Sequence, residues 1–201
     1  MRSFVLLAAI VLVACSGSDD PDPDAGASTS TIASDGVAPP FVSVPVSELG
    51  ADHVDPPVSF DQSPSIGGDH YPFWQNCGFY EVELIEGAAT HTMEHGAVWI
   101  TYNPDKLSES ELSTLAGMAM DNGKLLISPY PHDEALVLSG WGVQQRGIAS
   151  IGSPEVDAFI EQWIDNPELP EAGVRCTGAA GIPPDDVRTL ADGARVPDAY
   201  Q

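Results

Sequence analysis

Between Ala97 and Ser128 a strand, a capped helix and a second strand follow one another, and that order limits the fold more than anything else in the chain. Ala97-Val-Trp-Ile-Thr-Tyr102 is β-branched and aromatic, the make-up of a pleated, buried strand. Asn103-Pro104-Asp105 breaks it. Ser108 then stands three residues before Glu111, a capping box, with Leu107 and Leu112 placed to staple the helix start. Leu112, Leu115, Ala116 and Ala119 make its buried stripe, and Asn122-Gly123 predicts a left-handed helix end. Leu125 to Ser128 is the second strand. A strand-helix-strand crossover of this length favours a parallel pair.

Around this unit the pattern is weaker. Gly78 to Ile85 alternates as a half-buried strand does, and Ala135 to Val143 reads as one more strand carrying Trp141. Ser153-Pro154 opens a last helix, with Val156, Phe159, Ile160, Trp163 and Ile164 on its apolar face and Asn166-Pro167 closing it. The expected architecture is α+β, or small α/β, in a single domain: a mixed sheet with two main helices.

The ends of the chain read differently. Arg2 followed by an apolar run from Phe4 to Ala14 is too short to span a bilayer, and marks residues 1–14 as a secretory signal. Leu12-Val13-Ala14-Cys15 resembles a bacterial lipoprotein box, which implies lipidation of Cys15 and a membrane contact through that lipid alone. Residues 15–46 are rich in Ser, Asp, Pro, Ala, Gly and Thr, and are expected to be a disordered tether. Residues 47–181 remain for the globular domain, and 182–201, again rich in Pro and Asp, are expected to be a loose tail. The chain is thus expected in the cell envelope, outside the cytoplasm.

Seven Lys and Arg face 30 Asp and Glu, a formal charge of −23. Such a surface repels phosphate backbones, which argues against nucleic acid as a partner. Of three cysteines, Cys15 goes to the lipid, leaving Cys77 and Cys176 to pair in an oxidising compartment. The alternative keeps Cys77 as a thiolate metal ligand.

Five histidines carry what chemistry is visible. His91-Thr-Met-Glu-His95 has the H-x-x-E-H spacing of an inverted zinc-peptidase motif. On a helical turn two histidines four apart share a face at about 6 Å, within reach of one ion; along a strand they lie about 13 Å apart. Gly96 and the strand directly after it suggest a loop or single turn, not the long helix a peptidase needs. His53 precedes an extended, proline-punctuated stretch, and His70 follows Gly67-Gly68-Asp69. Tyr71, Phe73 and Trp74 stand close enough in sequence to wall off a site. His132 reads as an ordinary buried or surface histidine.

The runs GGDHYPFWQNCGFY and THTMEHGAVWITYNP, then LLISPYP, WGVQ and RCTG, resemble the bacterial domain-of-unknown-function family 3105 across about His53 to Gly178. Asp69 stands where that family often has Pro, and Met93 where it usually has Leu. The resemblance implies that His70, His91, Glu94 and His95 belong to a signature, with His53 beside them, and it supports a Cys77–Cys176 disulfide. It implies no activity.

The leading reading is a lipid-anchored domain holding a transition metal through His70, His91 and His95, with His53 or Met93 completing the shell. Glu94 and Asp69 would support the ligands from behind. Copper is preferred over zinc because Met93 offers a soft thioether beside the pair. Buffering or delivery of the ion would be its role; no protein partner is indicated. The alternative is a metal-free envelope interaction or scaffold lipoprotein with a structural histidine knot. A minor alternative is a zinc hydrolase with Glu94 as the base.

Overall fold

The computed structural model describes residues 41–201. The expected signal segment, Cys15 and the tether up to residue 40 lie outside the described residues. A six-stranded mixed sheet runs in the order β1-β6-β5-β3-β4-β2. Its strands are β1 (Phe41–Ser43), β2 (Gly78–Phe79), β3 (Val98–Tyr102), β4 (Leu125–Pro129), β5 (Leu136–Gly140) and β6 (Val143–Ile148). Three helices accompany it: α1 (Glu86–Glu94), α2 (Glu109–Asp121) and α3 (Pro154–Trp163). The α+β, single-domain expectation holds.

At the centre, β3 pairs parallel with β4, as the crossover requires, and antiparallel with β5. All five residues of β3 are buried because the sheet is covered on both faces. Val98, Ile100 and Tyr102 meet Leu115 of α2 and Val156 and Phe159 of α3 on one face. Trp99 and Leu126 meet Ala89 and Met93 of α1, with Trp141, on the other. Each large apolar side chain so buried contributes about 1.5–3 kcal/mol by leaving water.

The capping box of α2 is formed: Ser108 Oγ accepts from Glu111 N at 3.3 Å, and Glu111 Oε2 accepts from Ser108 N at 2.9 Å. Its other end differs from the expectation. Asn122 is extended (φ −131°, ψ 105°), not left-handed. Asn122 Oδ1 instead accepts from Lys124 N, and an Asx turn ends the helix.

Four boundaries are corrected by the structure. Gly78–Ile85 is not one strand. Past Tyr80, whose N still donates to Ile127 O of β4, the chain leaves the sheet, and Glu81 N donates to Pro184 O. The stretch 135–143 is a hairpin, with Trp141 at the turn between β5 and β6 and Gly142 at φ +80°. Phe41–Ser43, assigned to the tether, pairs with β6, and the Phe41 ring stacks on Trp163. Nor are residues 182–201 loose. Val196 is buried, Asp186 binds Arg195 and the Thr189 hydroxyl, and Tyr200 packs against Tyr71 and Phe73. Proline and aspartate there build turns that pack.

The Cys77–Cys176 disulfide is present, with Cα atoms 5.4 Å apart. It excludes Cys77 as a thiolate ligand. Among the described residues no helix is long and apolar enough to cross a membrane.

Candidate metal centre

His91 sits in the last turn of α1 and His95 caps its end, on a helix the sequence did not announce. The reading of this stretch as a loop or single turn is corrected to the end of a helix of 9 residues, and the glycine that suggested it is the helix stop. Gly96 takes φ +92°; its N–H donates to Met93 O, and Ala97 N donates to Thr92 O. Those two bonds are the Schellman ending, which needs a residue free to adopt positive φ. Gly87 to Glu94 are all buried, so α1 has no solvent face and shows no amphipathic period. Small residues let it lie that deep. Gly87 is tight enough that a Cβ there would stand 2.6 Å from the Tyr71 ring.

The other two histidines come from the segment before β2. Val54 N donates to His70 O and His70 N to Asp52 O, a two-residue parallel bridge that sets His53 beside His70. Asp69 supports this bridge by accepting from Asp52 N. Gly67 and Gly68, at φ +131° and +112°, turn the chain sharply enough to aim His70 inward beneath Trp141. The His53 ring lies 4.5 Å from that of His91, and the His70 ring 4.7 Å from it.

Two groups here have the geometry to hold a metal ion. In the first, His53, His70, His91 and Glu94 each offer a ligand atom within 4.8 Å of the others. In the second, His91, His95 and Glu171 do the same. His70, His91, Glu94 and His95 are almost wholly buried, His53 is exposed, and Glu171 is partly exposed.

Hydrogen bonds fix which nitrogen each ring presents. His70 Nδ1 bonds Gly68 O at 2.8 Å, His91 Nδ1 bonds Tyr71 O at 2.7 Å, and His95 Nδ1 bonds Arg175 O at 3.1 Å. A carbonyl oxygen only accepts, so Nδ1 carries the proton in all three rings. In the neutral ring every Nε2 is then a bare lone pair. Backbone carbonyls orienting imidazoles from behind are the usual support of metal-ligating histidines.

Those lone pairs face carboxylates. His70 Nε2 lies 3.1 Å from Glu94 Oε2, close enough for an ion pair, yet neither buried atom has a hydrogen-bond partner. With the proton on Nδ1, two acceptors confront each other. His95 Nε2 and His91 Nε2 lie 2.8 and 3.5 Å from Glu171 Oε2. Such contacts are favourable only with a proton or a cation between the atoms. Burial disfavours the proton on His91, whose pKa it lowers to about 4, with the other histidines adding to the effect. His95 is also lowered, by burial, against the pull of Glu171. For Glu171 burial acts upward, but the His95 hydrogen bond and the neighbouring rings outweigh it and the net shift is down.

Aromatic walls close the centre. Trp74 meets His95 edge-on at 4.8 Å, and Trp141 meets His70 edge-on at 5.6 Å. Two sequence expectations change. Met93 is fully buried in the apolar cluster of Tyr80, Ala89, Trp99 and Leu126, so its place as a ligand is corrected to apolar core. Glu94, expected behind the ligands, is within one of the groups. Glu171 was missed, for it stands 76 residues beyond His95 in an ordinary acidic stretch that carries no signal. His132 is structural as expected, its ring nitrogens bonded to the Thr101 hydroxyl and Glu134 O.

A family sequence model described as "Protein of unknown function (DUF3105)" matches residues 53–178, more than half of the chain. No curated protein and no solved structure matches.

Proposed function

Because the chain belongs to the family of unknown function DUF3105, a membership that supplies no activity, we propose from its own residues that it binds one divalent transition-metal ion. His53, His70, His91 and Glu94 are the ligands, and the role is buffering or delivery of the ion outside the cytoplasm, on a lipid at Cys15. One observation carries the reading: buried His70 Nε2 and Glu94 Oε2, 3.1 Å apart and without hydrogen bonds. A buried polar atom left unpaired costs about 1–3 kcal/mol, and an ion between the two removes both penalties.

Imidazole and carboxylate suit Zn2+ and Cu2+ alike. With Met93 in the core the thioether argument for copper lapses. Copper still ranks above zinc on such donors by the Irving–Williams order. The Cys77–Cys176 disulfide suits an oxidising compartment, and the acidic surface attracts cations. The hydrolase alternative weakens, because Glu94 faces a ligand and is not free to act as base.

The experiment is metal analysis of the purified full-length chain after dialysis, for copper and zinc, beside His91→Ala and His70→Ala. One ion per chain, lost in both variants, supports the reading. A metal-free chain whose melting temperature ignores added Cu2+ and Zn2+ supports the histidine knot instead.

A further inference from the structure

The two groups of ligands share one residue, and His91 has only one lone pair to give. Its Nδ1 is committed to Tyr71 O, so Nε2 can bond an ion in the His53–His70–Glu94 group or one beside His95 and Glu171, but not both. Building on the metal-binding reading above, we infer that His91–His95–Glu171 is a second, outer position for the same ion. The ion is loaded into and released from the buried position through it, with His91 changing hands.

Three features carry this. The inner position is walled by His70 at 0% and Glu94 at 2% exposure and meets solvent at His53, whereas on the other side of His91 the Glu171 side chain is 36% exposed. Glu171 therefore reaches both solvent and the buried ring of His95. Each position holds a single carboxylate, so a divalent ion meets the same net charge in either, and moving between them needs no new counter-charge. The outer position offers three protein ligands, which leaves a tetrahedral ion one coordination site open for an incoming chelator or acceptor.

Glu171 is also held in place. Lys124 Nζ donates to His95 O and Val174 O and pairs with Asp165 at 3.1 Å, pinning the strap from 165 to 174 against the end of α1. The Cys77–Cys176 bond fixes it just beyond. The competing exit runs past His53, the exposed ligand of the inner group.

The test uses the full-length chain carrying one equivalent of Zn2+, mixed in stopped flow with the chromogenic chelator 4-(2-pyridylazo)resorcinol. Glu171→Gln and His95→Gln are expected to slow both loading and release by about tenfold or more, the scale on which groups around a metal act. Because both rates fall together, Kd moves far less than either rate. Near-UV circular dichroism shows whether each variant is folded, and half-exposed Glu171 makes its variant the safer of the two. Unchanged rates in folded Glu171→Gln overturn the inference, leave the centre standing and put the route past His53. Two zinc ions bound per chain also overturn it, because His91 then changes no hands. A wild-type chain that takes up no zinc overturns both this inference and the reading beneath it.

Discussion

His70 Nε2 and Glu94 Oε2 stand 3.1 Å apart inside the protein, and neither has a hydrogen bond. If the pair exists to hold a cation, it is a defect in the metal-free protein. Glu94→Gln replaces the facing oxygen by an amide that can donate to Nε2. The expected result is a crossing. Metal-free Glu94→Gln is more stable than wild type by about 1–3 kcal/mol, while its metal affinity falls. Chemical denaturation in chelator and a metal titration measure the two sides. Loss of stability without metal would mean that Glu94 serves structure.

Because His91 belongs to both ligand groups, its replacement should cost far more metal-linked stability than that of His95. A ligand at 100 times its Kd stabilises the folded state by about 2.7 kcal/mol. Wild type should therefore melt several degrees higher with saturating Zn2+. His91→Ala should lose the shift entirely, and His95→Ala should keep most of it. Calorimetry with and without metal decides. Equal loss in both variants would make the two groups one site.

Much of the sheet was legible in the sequence because β3, α2, β4 and α3 obey local rules. The capping box at Ser108 and the Pro154 start work within a few residues, and strand apolarity reports burial directly. Helix α1 was not legible. Glu-Gly-Ala-Ala-Thr-His-Thr-Met-Glu is buried on every side, so no polar face produces a 3.6-residue period. Its signal was Gly96 read with His91 and His95: a left-handed glycine directly after two residues one turn apart is a helix ending. His70 and His91 were brought together by chain turns at glycines that sequence can flag but not aim. Glu171 required knowing that the disulfide and Lys124 fold the 165–176 strap back onto α1, a long-range fact with no local trace.

Gly96 supplies a third prediction. An alanine there must hold φ near +92°, and its Cβ would lie 3.0 Å from the Asp165 backbone. Left-handed backbone alone costs about 1–2 kcal/mol for a residue with a Cβ. Gly96→Ala should lower stability by at least that much and shift His95, weakening zinc retention. Stability equal to wild type by urea titration would contradict the Schellman ending of α1.

Acid should destabilise the metal-free chain through its buried imidazoles. Burial lowers the His91 pKa to about 4 from 6.5, and those of His95 and His132 also fall. The unfolded chain takes up protons near 6.5 while the folded one does not. The stability held by His91 is therefore whole above 6.5 and lost as pH falls toward 4, by about 1.4 kcal/mol per pH unit, and His95 and His132 add to the loss in the same direction. His53, His70 and His95 face His91 and sharpen the loss; Glu171 opposes it until it is itself protonated. His91→Gln, whose amide can still bond Tyr71 O, should show a shallower slope between pH 7 and 5.5. Identical slopes would take His91 out of the acid response.

The Cys77–Cys176 bond spans 99 residues and ends one position after Arg175, whose carbonyl holds the His95 ring. Its removal has two separable consequences. Freeing so long a loop costs several kcal/mol, about 4–5 at most in the chain-entropy model. Locally, Cys77 N also donates to Cys176 O at 2.8 Å, so in Cys77→Ser/Cys176→Ser the strap keeps that bond and Lys124 but loses its covalent stop. Glu171 should then wander while His53, His70, His91 and Glu94, all before the strap, keep their places. The variant is expected to melt well below wild type, to bind one Zn2+ still at low temperature, and to exchange it more slowly because the outer position is unformed. Faster exchange would mean that the strap acts as a lid on the ion, and the part given to Glu171 would have to be reversed.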